Sequence, residues 1–123
     1  MKTKKIALIG GAGFIGHNLA ISLKNRGHEV IVIDSLSVNN ILSFNDGEIK
    51  NRKLYSSILN QRLDLMHEND VEISIQDARE YNAMSLQLEK YNPDVIIQLA
   101  AVSHANKSNK DPHTTFDHTI RTL

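Results

Sequence analysis

Lys5-Ile6-Ala7-Leu8-Ile9-Gly10-Gly11-Ala12-Gly13-Phe14-Ile15-Gly16 is the stretch on which the reading of this chain turns. Ile6 to Ile9 are four apolar residues in a row, too few for a helix and suited to a strand buried on both faces. Glycines end that strand, and a periodic apolar segment from Phe14 to Leu23 comes next as a helix. Strand, glycine turn and helix together give meaning to the G-x-G-x-x-G spacing of Gly11, Gly13 and Gly16. Gly10, Gly13 and Gly16 satisfy a second spacing, G-x-x-G-x-x-G. A dinucleotide diphosphate needs to approach bare backbone, and the helix after the turn points its free N–H groups and positive dipole end toward the phosphates. Gly16, one turn into the helix, allows close packing against the strand layer. The competing reading is a plain tight turn with glycines for geometry alone.

Working outward, Ile15, Leu19 and Leu23 form one helix face, Lys24 and Arg26 put cations at its last turn, and Gly27 stands where a helix-ending glycine belongs. Glu29 to Asp34 then reads as a second buried strand, parallel to the first through a right-handed crossover. Asp34 closes that strand 18 positions after Gly16, near the spacing of a carboxylate that accepts hydrogen bonds from a ribose. It would repel a 2′-phosphate, and no arginine adjoins it in sequence, which favours NAD over NADP. The alternative role for Asp34 is a turn former at the strand end.

Ser35 to Lys50 is polar, with turn signals at Asn39-Asn40 and Asp46-Gly47. Asn51 to Glu68 reads as an amphipathic helix with Leu54, Ile58, Leu63 and Met66 on its apolar stripe, and with Asn51, Arg52, Lys53, Gln61 and Arg62 outside it. Val71 to Ile75 alternates strictly, as a strand nearer a sheet edge does. Asp77 lies just past its carboxyl end, where open parallel sheets bind ligands. It is a candidate acceptor for an adenine amino group, or an N-cap for the helix Glu80 to Lys90. Val95 to Ala100 is a fourth strand ending in the small residues Ala100 and Ala101, which leave room for a ligand. Asp111-Pro112 opens a last helix, expected to run through Leu123.

The whole chain narrows the classes further. Its 123 residues suffice for one small domain. Fourteen basic residues balance fourteen acidic ones, which argues against a nucleic-acid surface or a polybasic membrane patch. There is no cysteine, so thiol catalysis and Cys-ligated zinc are excluded. The six histidines form no metal-binding spacing. No apolar run approaches the roughly 18 residues of a membrane span, and the basic N-terminus lacks the apolar stretch of a signal peptide. A cytoplasmic location is the expectation.

The glycine turn Gly10 to Gly16, Asp34, Asp77-Ala78-Arg79 and Pro93 to Ala101 together resemble the extended short-chain dehydrogenase/reductases, and within them the NAD-dependent nucleotide-sugar epimerases and dehydratases. The segment Ser103 to Ser108 with Asp111-Pro112 is similar to the stretch after the fourth strand in that family. The resemblance covers nearly the whole chain. It implies an α/β, Rossmann-like, doubly wound parallel sheet, of which this chain is the N-terminal part with strand order 3-2-1-4. It also implies NAD as cofactor. Gly10, Gly13 and Gly16 would form the turn, and the backbone of Phe14 and Ile15 would meet the diphosphate. Asp34 would take the ribose, Asp77 and the Ala78 backbone the adenine, and Leu99, Ala100 and Ala101 the adenosine ribose and nicotinamide side. Where the family has an asparagine in the helix after Pro112, this chain has His118.

The family's Tyr-x-x-x-Lys pair is not found: none of Tyr55, Tyr81 and Tyr91 has a lysine four positions on. The expectation is therefore one NAD-binding domain over residues 1–123, ending before the catalytic segment and without turnover alone. A nucleotide sugar is the substrate class implied for the longer enzyme. The fourth strand, with an open edge, is expected to support homo-oligomers through that edge or the last helix. A non-catalytic dinucleotide sensor is the alternative of another class, and a structural domain with an empty glycine turn is a third.

Overall fold

The computed structural model describes residues 2–37, 51–101 and 109–123. The turn signals at Asn39-Asn40 and Asp46-Gly47 and the segment Ser103 to Ser108 lie outside the described residues. The elements run β1 (Lys5–Ile9), α1 (Phe14–Asn25), β2 (Glu29–Asp34), α2 (Arg52–Glu68), β3 (Glu72–Ile75), α3 (Tyr81–Tyr91), β4 (Val95–Gln98) and α4 (Pro112–Ile120). The four strands form one parallel sheet in the order β3-β2-β1-β4, as the sequence led us to expect.

Alternation along the two central strands explains why the sheet is covered on both faces. Leu8, Val30 and Val32 point into one core with Ala20 of α1 and Met66 of α2. Ala7, Ile9, Ile31 and Ile33 point into the other with Met84 of α3. Leu8 and Val32 are fully buried and lie side by side in register. A strand flanked by helices on both sides has no solvent face, so its sequence is a continuous apolar run. The edge strands are less covered: Ile75 of β3 is 70% exposed, and Val95 and Ile96 of β4 are 39% and 50% exposed.

Several details differ from the sequence reading, among them β4, which ends at Gln98 instead of Ala100. The buried face of α2 is carried by Leu59 and Met66 with Leu63, whereas Leu54 and Ile58 are exposed. The helix α3 is preceded by Glu80 as its N-cap residue, and Asp77 makes no capping bond to it. The last helix ends at Ile120 instead of running through Leu123. Its start is as expected. The Asp111 carboxylate accepts hydrogen bonds from the Thr114 amide at 2.9 Å and from the Thr114 hydroxyl, and Pro112 occupies the first turn. Those bonds hold the Asp111 carboxyl below its usual range. After α4, the Thr122 carbonyl accepts from Gln98 Nε2 at 2.6 Å and the Thr122 hydroxyl donates to the Ala100 carbonyl at 3.2 Å, fastening the segment to the end of β4. Among the described residues no helix is long and apolar enough to cross a membrane.

Candidate functional site

The carboxyl ends of all four strands open on one cleft of about 470 Å³. Backbone bonds beyond the strand ends hold these ends level: Gly10 N–H donates to the Ile33 carbonyl at 2.8 Å, Leu99 N–H to Ile9 at 2.8 Å and Gln76 N–H to Asp34 at 3.0 Å. The structure brings every residue that the resemblance assigned to the cofactor to this cleft. Gly10, Gly13, Phe14, Ile15 and Gly16 form its floor after β1. Asp34 stands at the end of β2, Asp77 and Ala78 after β3, and Leu99, Ala100 and Ala101 after β4. His118 of α4 also lines it.

The glycines divide by what a side chain would strike. Gly10 has φ +77°, and a Cβ on it would lie 2.6 Å from the Ala100 amide nitrogen. Both facts require glycine. A Cβ on Gly16 would come within 2.5 Å of the Gly11 Cα, so the helix packs against the turn itself. A Cβ on Gly11 would reach 2.9 Å from Leu8 Cβ. Gly13 is different. Its φ of −72° suits any residue, and the nearest atom to a Cβ there is the Gly10 carbonyl oxygen at 3.8 Å. Folding therefore does not need a glycine at 13. Gly13 is also the N-cap of α1 and offers no side chain to cap the first-turn N–H groups. Below the turn, His17 is buried, and its Nδ1 lies 2.8 Å from the Gly13 carbonyl, as a donor to it.

Asp34 joins two parts of the site. Its Oδ2 accepts from the Ala12 amide of the glycine turn at 2.9 Å, and its Oδ1 accepts from the Leu36 amide at 2.8 Å. Each carboxylate oxygen has a further lone pair, so acceptor capacity remains for a ligand hydroxyl. Its strand-end turn role and a ligand role are therefore compatible.

Asp77 is held by Arg79 in a forked pair, Nε to Oδ1 at 3.0 Å and Nη2 to Oδ2 at 2.6 Å. The Arg79 amide also donates to Oδ1 at 2.9 Å. Arg79 Nη1 reaches Asp117 Oδ2 of α4 at 2.7 Å, and Arg121 Nη1 closes on Asp117 Oδ1 at 2.7 Å. This chain of charges fastens α4 over the β3 end of the cleft. The Arg79 guanidinium holds the Asp77 carboxyl below its usual range. Arg121 first and Arg79 second do the same to Asp117. The Arg79 guanidinium is in turn held more firmly protonated, by Asp77 first and then Asp117.

The sequence reading missed Arg62. It was placed outside the apolar stripe of α2, yet it lines the cleft beside Leu59 and Leu63. Its spacing of four positions from Met66, which is buried, was the available signal.

Comparison with known proteins gives a consistent picture. Residues 6–122 match the model of the "NAD dependent epimerase/dehydratase family". A bifunctional UDP-glucose 4-epimerase and UDP-xylose 4-epimerase from Pisum sativum is 27% identical over 118 residues, covering 96% of this chain and 30% of the relative. Protein CapI of Staphylococcus aureus is 29% identical, covering 94% of this chain and 30% of the relative. Among solved structures, the UDP-glucose-4-epimerase of Stenotrophomonas maltophila, with bound NAD and formylated UDP-arabinopyranose, superposes with a TM-score of 0.72 at 22% identity, over 97% of this chain and 31% of that one. The Thermus thermophilus UDP-glucose 4-epimerase complex with NAD gives 0.68 at 23% identity, over 96% and 30%. At these identities the solved structures share the fold. The chain spans about 30% of the length of these curated relatives.

Proposed function

Because the chain belongs to the NAD dependent epimerase/dehydratase family, we propose that its cleft binds NAD, as the cofactor-binding portion of an enzyme acting on a nucleotide sugar. The single observation that carries this is Gly13: the fold itself does not require a glycine there, and the position lines the cleft at the uncapped N-terminus of α1, which suits close approach of a diphosphate. The residues present fit the cofactor. Gly10, Gly13 and Gly16 with the first-turn N–H groups of Phe14 and Ile15 receive the diphosphate. Asp34 accepts from the adenosine ribose. Asp77 and the Ala78 backbone take the adenine edge. Leu99, Ala100 and Ala101, narrow at the end of β4, leave space for the ribose and nicotinamide side.

NAD bound here supplies a hydride acceptor and donor for transient oxidation of a sugar carbon. This chain's residues hold and orient the cofactor. The sequence contains no Tyr-x-x-x-Lys pair, so the 123-residue chain alone is expected to show no epimerase turnover. Substrates named for the relatives support a nucleotide sugar as the substrate class for the longer enzyme.

Calorimetric titration of the chain with NAD and NADP tests the reading, beside Asp34→Asn. Binding of NAD in preference to NADP, with the preference reduced in the variant, is the expected result. No binding of NAD, or a preference for NADP, would reject it. Among the described residues β4 pairs only with β1 and exposes Val95 and Ile96, which supports self-association through this edge or through α4. A concentration-independent monomer in light scattering would exclude that.

A further inference from the structure

Among the charged groups lining the cleft, Asp34 is engaged by two backbone amides, and Asp77 and Arg79 are engaged with each other. Arg62 differs: among the described residues it faces an aromatic ring and no carboxylate. Its Nη1 is buried and has no hydrogen-bond partner among the described residues. Its guanidinium carbon stands 5.8 Å from the centre of the Phe14 ring, the first residue of α1. A guanidinium carries five donors and does not shed its charge, so a buried and unpaired Nη1 is a cost to the ligand-free fold. A leucine-like side chain at this position, between Leu59 and Leu63, would satisfy the packing of α2 without that cost.

We propose that Arg62 is a cofactor-binding residue, whose guanidinium pairs with the phosphate groups of the dinucleotide as they settle on the N-terminus of α1. This rests on the NAD reading above and adds to it a cation delivered from α2, a helix outside the glycine turn. Two phosphate sources share this chemistry, the diphosphate bridge and the 2′-phosphate of NADP. The diphosphate is the better fit. Phe14, over which the guanidinium stands, begins the helix whose dipole faces the bridge, while the carboxylate of Asp34 disfavours a 2′-phosphate.

The test compares wild type with Arg62→Gln and Arg62→Met, using NAD, ADP-ribose, NADP and adenosine as ligands and thermal unfolding of the ligand-free chain. Loss of a charged hydrogen-bonding pair predicts that the Kd for NAD and ADP-ribose rises about tenfold or more while adenosine binding is unchanged. It also predicts that Arg62→Met unfolds at a Tm no lower than wild type. Unchanged NAD affinity in the variants overturns the inference and leaves the NAD reading standing. So does an equal loss for adenosine, which would make Arg62 an adenine contact. A loss confined to NADP overturns it in favour of the 2′-phosphate. A lowered Tm with unaltered affinities would make Arg62 purely structural. Failure of wild type to bind NAD removes both.

Discussion

Replacing Gly10 and Gly13 by alanine separates what the glycine turn does for folding from what it does for binding. At Gly10 the new Cβ meets the Ala100 amide nitrogen at 2.6 Å, the Ala100 Cα at 2.8 Å and the Leu99 carbonyl carbon at 2.9 Å. These are backbone atoms at the end of β4, so relief requires β1 and β4 to part. The left-handed conformation adds about 1–2 kcal/mol, and overpacking a dense interior adds about 1–3 kcal/mol. Gly10→Ala is therefore expected to cost about 2–5 kcal/mol. For a chain of this size that lowers Tm by about 10 °C or more. At Gly13 the Cβ meets nothing nearer than 3.8 Å in an ordinary backbone conformation. Gly13→Ala should stay within about 1 kcal/mol of wild type, since the small loss of cap preference is offset by reduced unfolded-state freedom. Urea and thermal unfolding followed by circular dichroism measure both. Equal destabilisation by the two substitutions, or a neutral Gly10→Ala, would refute the argument that space at Gly13 is kept for a ligand.

Other consequences arise from the charge chain over the cleft. Arg79→Lys keeps a charge but not the fork that spans Asp77 and Asp117; amide exchange across α4 should accelerate while the central strands stay protected, and unchanged protection of α4 would contradict the linkage. Asp77 and Asp117 have lowered pKa values, so their contribution to stability is complete above the ordinary carboxyl value of 3.8 and is lost as pH falls below it toward the lower folded-state values; Asp117→Asn should flatten the fall in urea midpoint between about pH 5 and pH 2, and a fall as steep as in wild type would show that Asp117 does not contribute. Leu8→Ala empties a fully buried site between two strands and a helix. It should cost about 2–5 kcal/mol by urea unfolding, and a cost under about 1 kcal/mol would mean the core is not packed as described.

The strands, the glycine turn and the carboxylate at the end of β2 were legible because each is written locally, while the strand order came from the resemblance to the family. Four-residue apolar runs mark central strands, glycine spacing marks the first turn, and a carboxylate marks the end of β2. Partner choice left no such trace. Asp77 reads equally well as a helix cap or a ligand contact, and only the fold shows it forked to Arg79, with Asp117, 38 positions beyond Arg79, completing the chain. Arg62 reads as lying outside the apolar stripe because arginine is usually exposed, although it lies four positions from the buried Met66. Leu59 was passed over because Leu54 and Ile58 fit the same period, and the direction α2 faces is set by tertiary packing. The early end of α4 comes from Thr122 turning to bond the end of β4, a contact made across 22 positions.

The central claim is that one dinucleotide spans the carboxyl ends of all four strands, over bare backbone at Gly13. Backbone amide shifts of the isotope-labelled chain during addition of NAD test it most directly, with Gly13→Val as control. Saturable shifts grouped at residues 10–16, 34–37, 76–79 and 99–101 are predicted in wild type, with their loss in a variant that remains folded. Shifts grouped elsewhere, or undiminished in Gly13→Val, would contradict it.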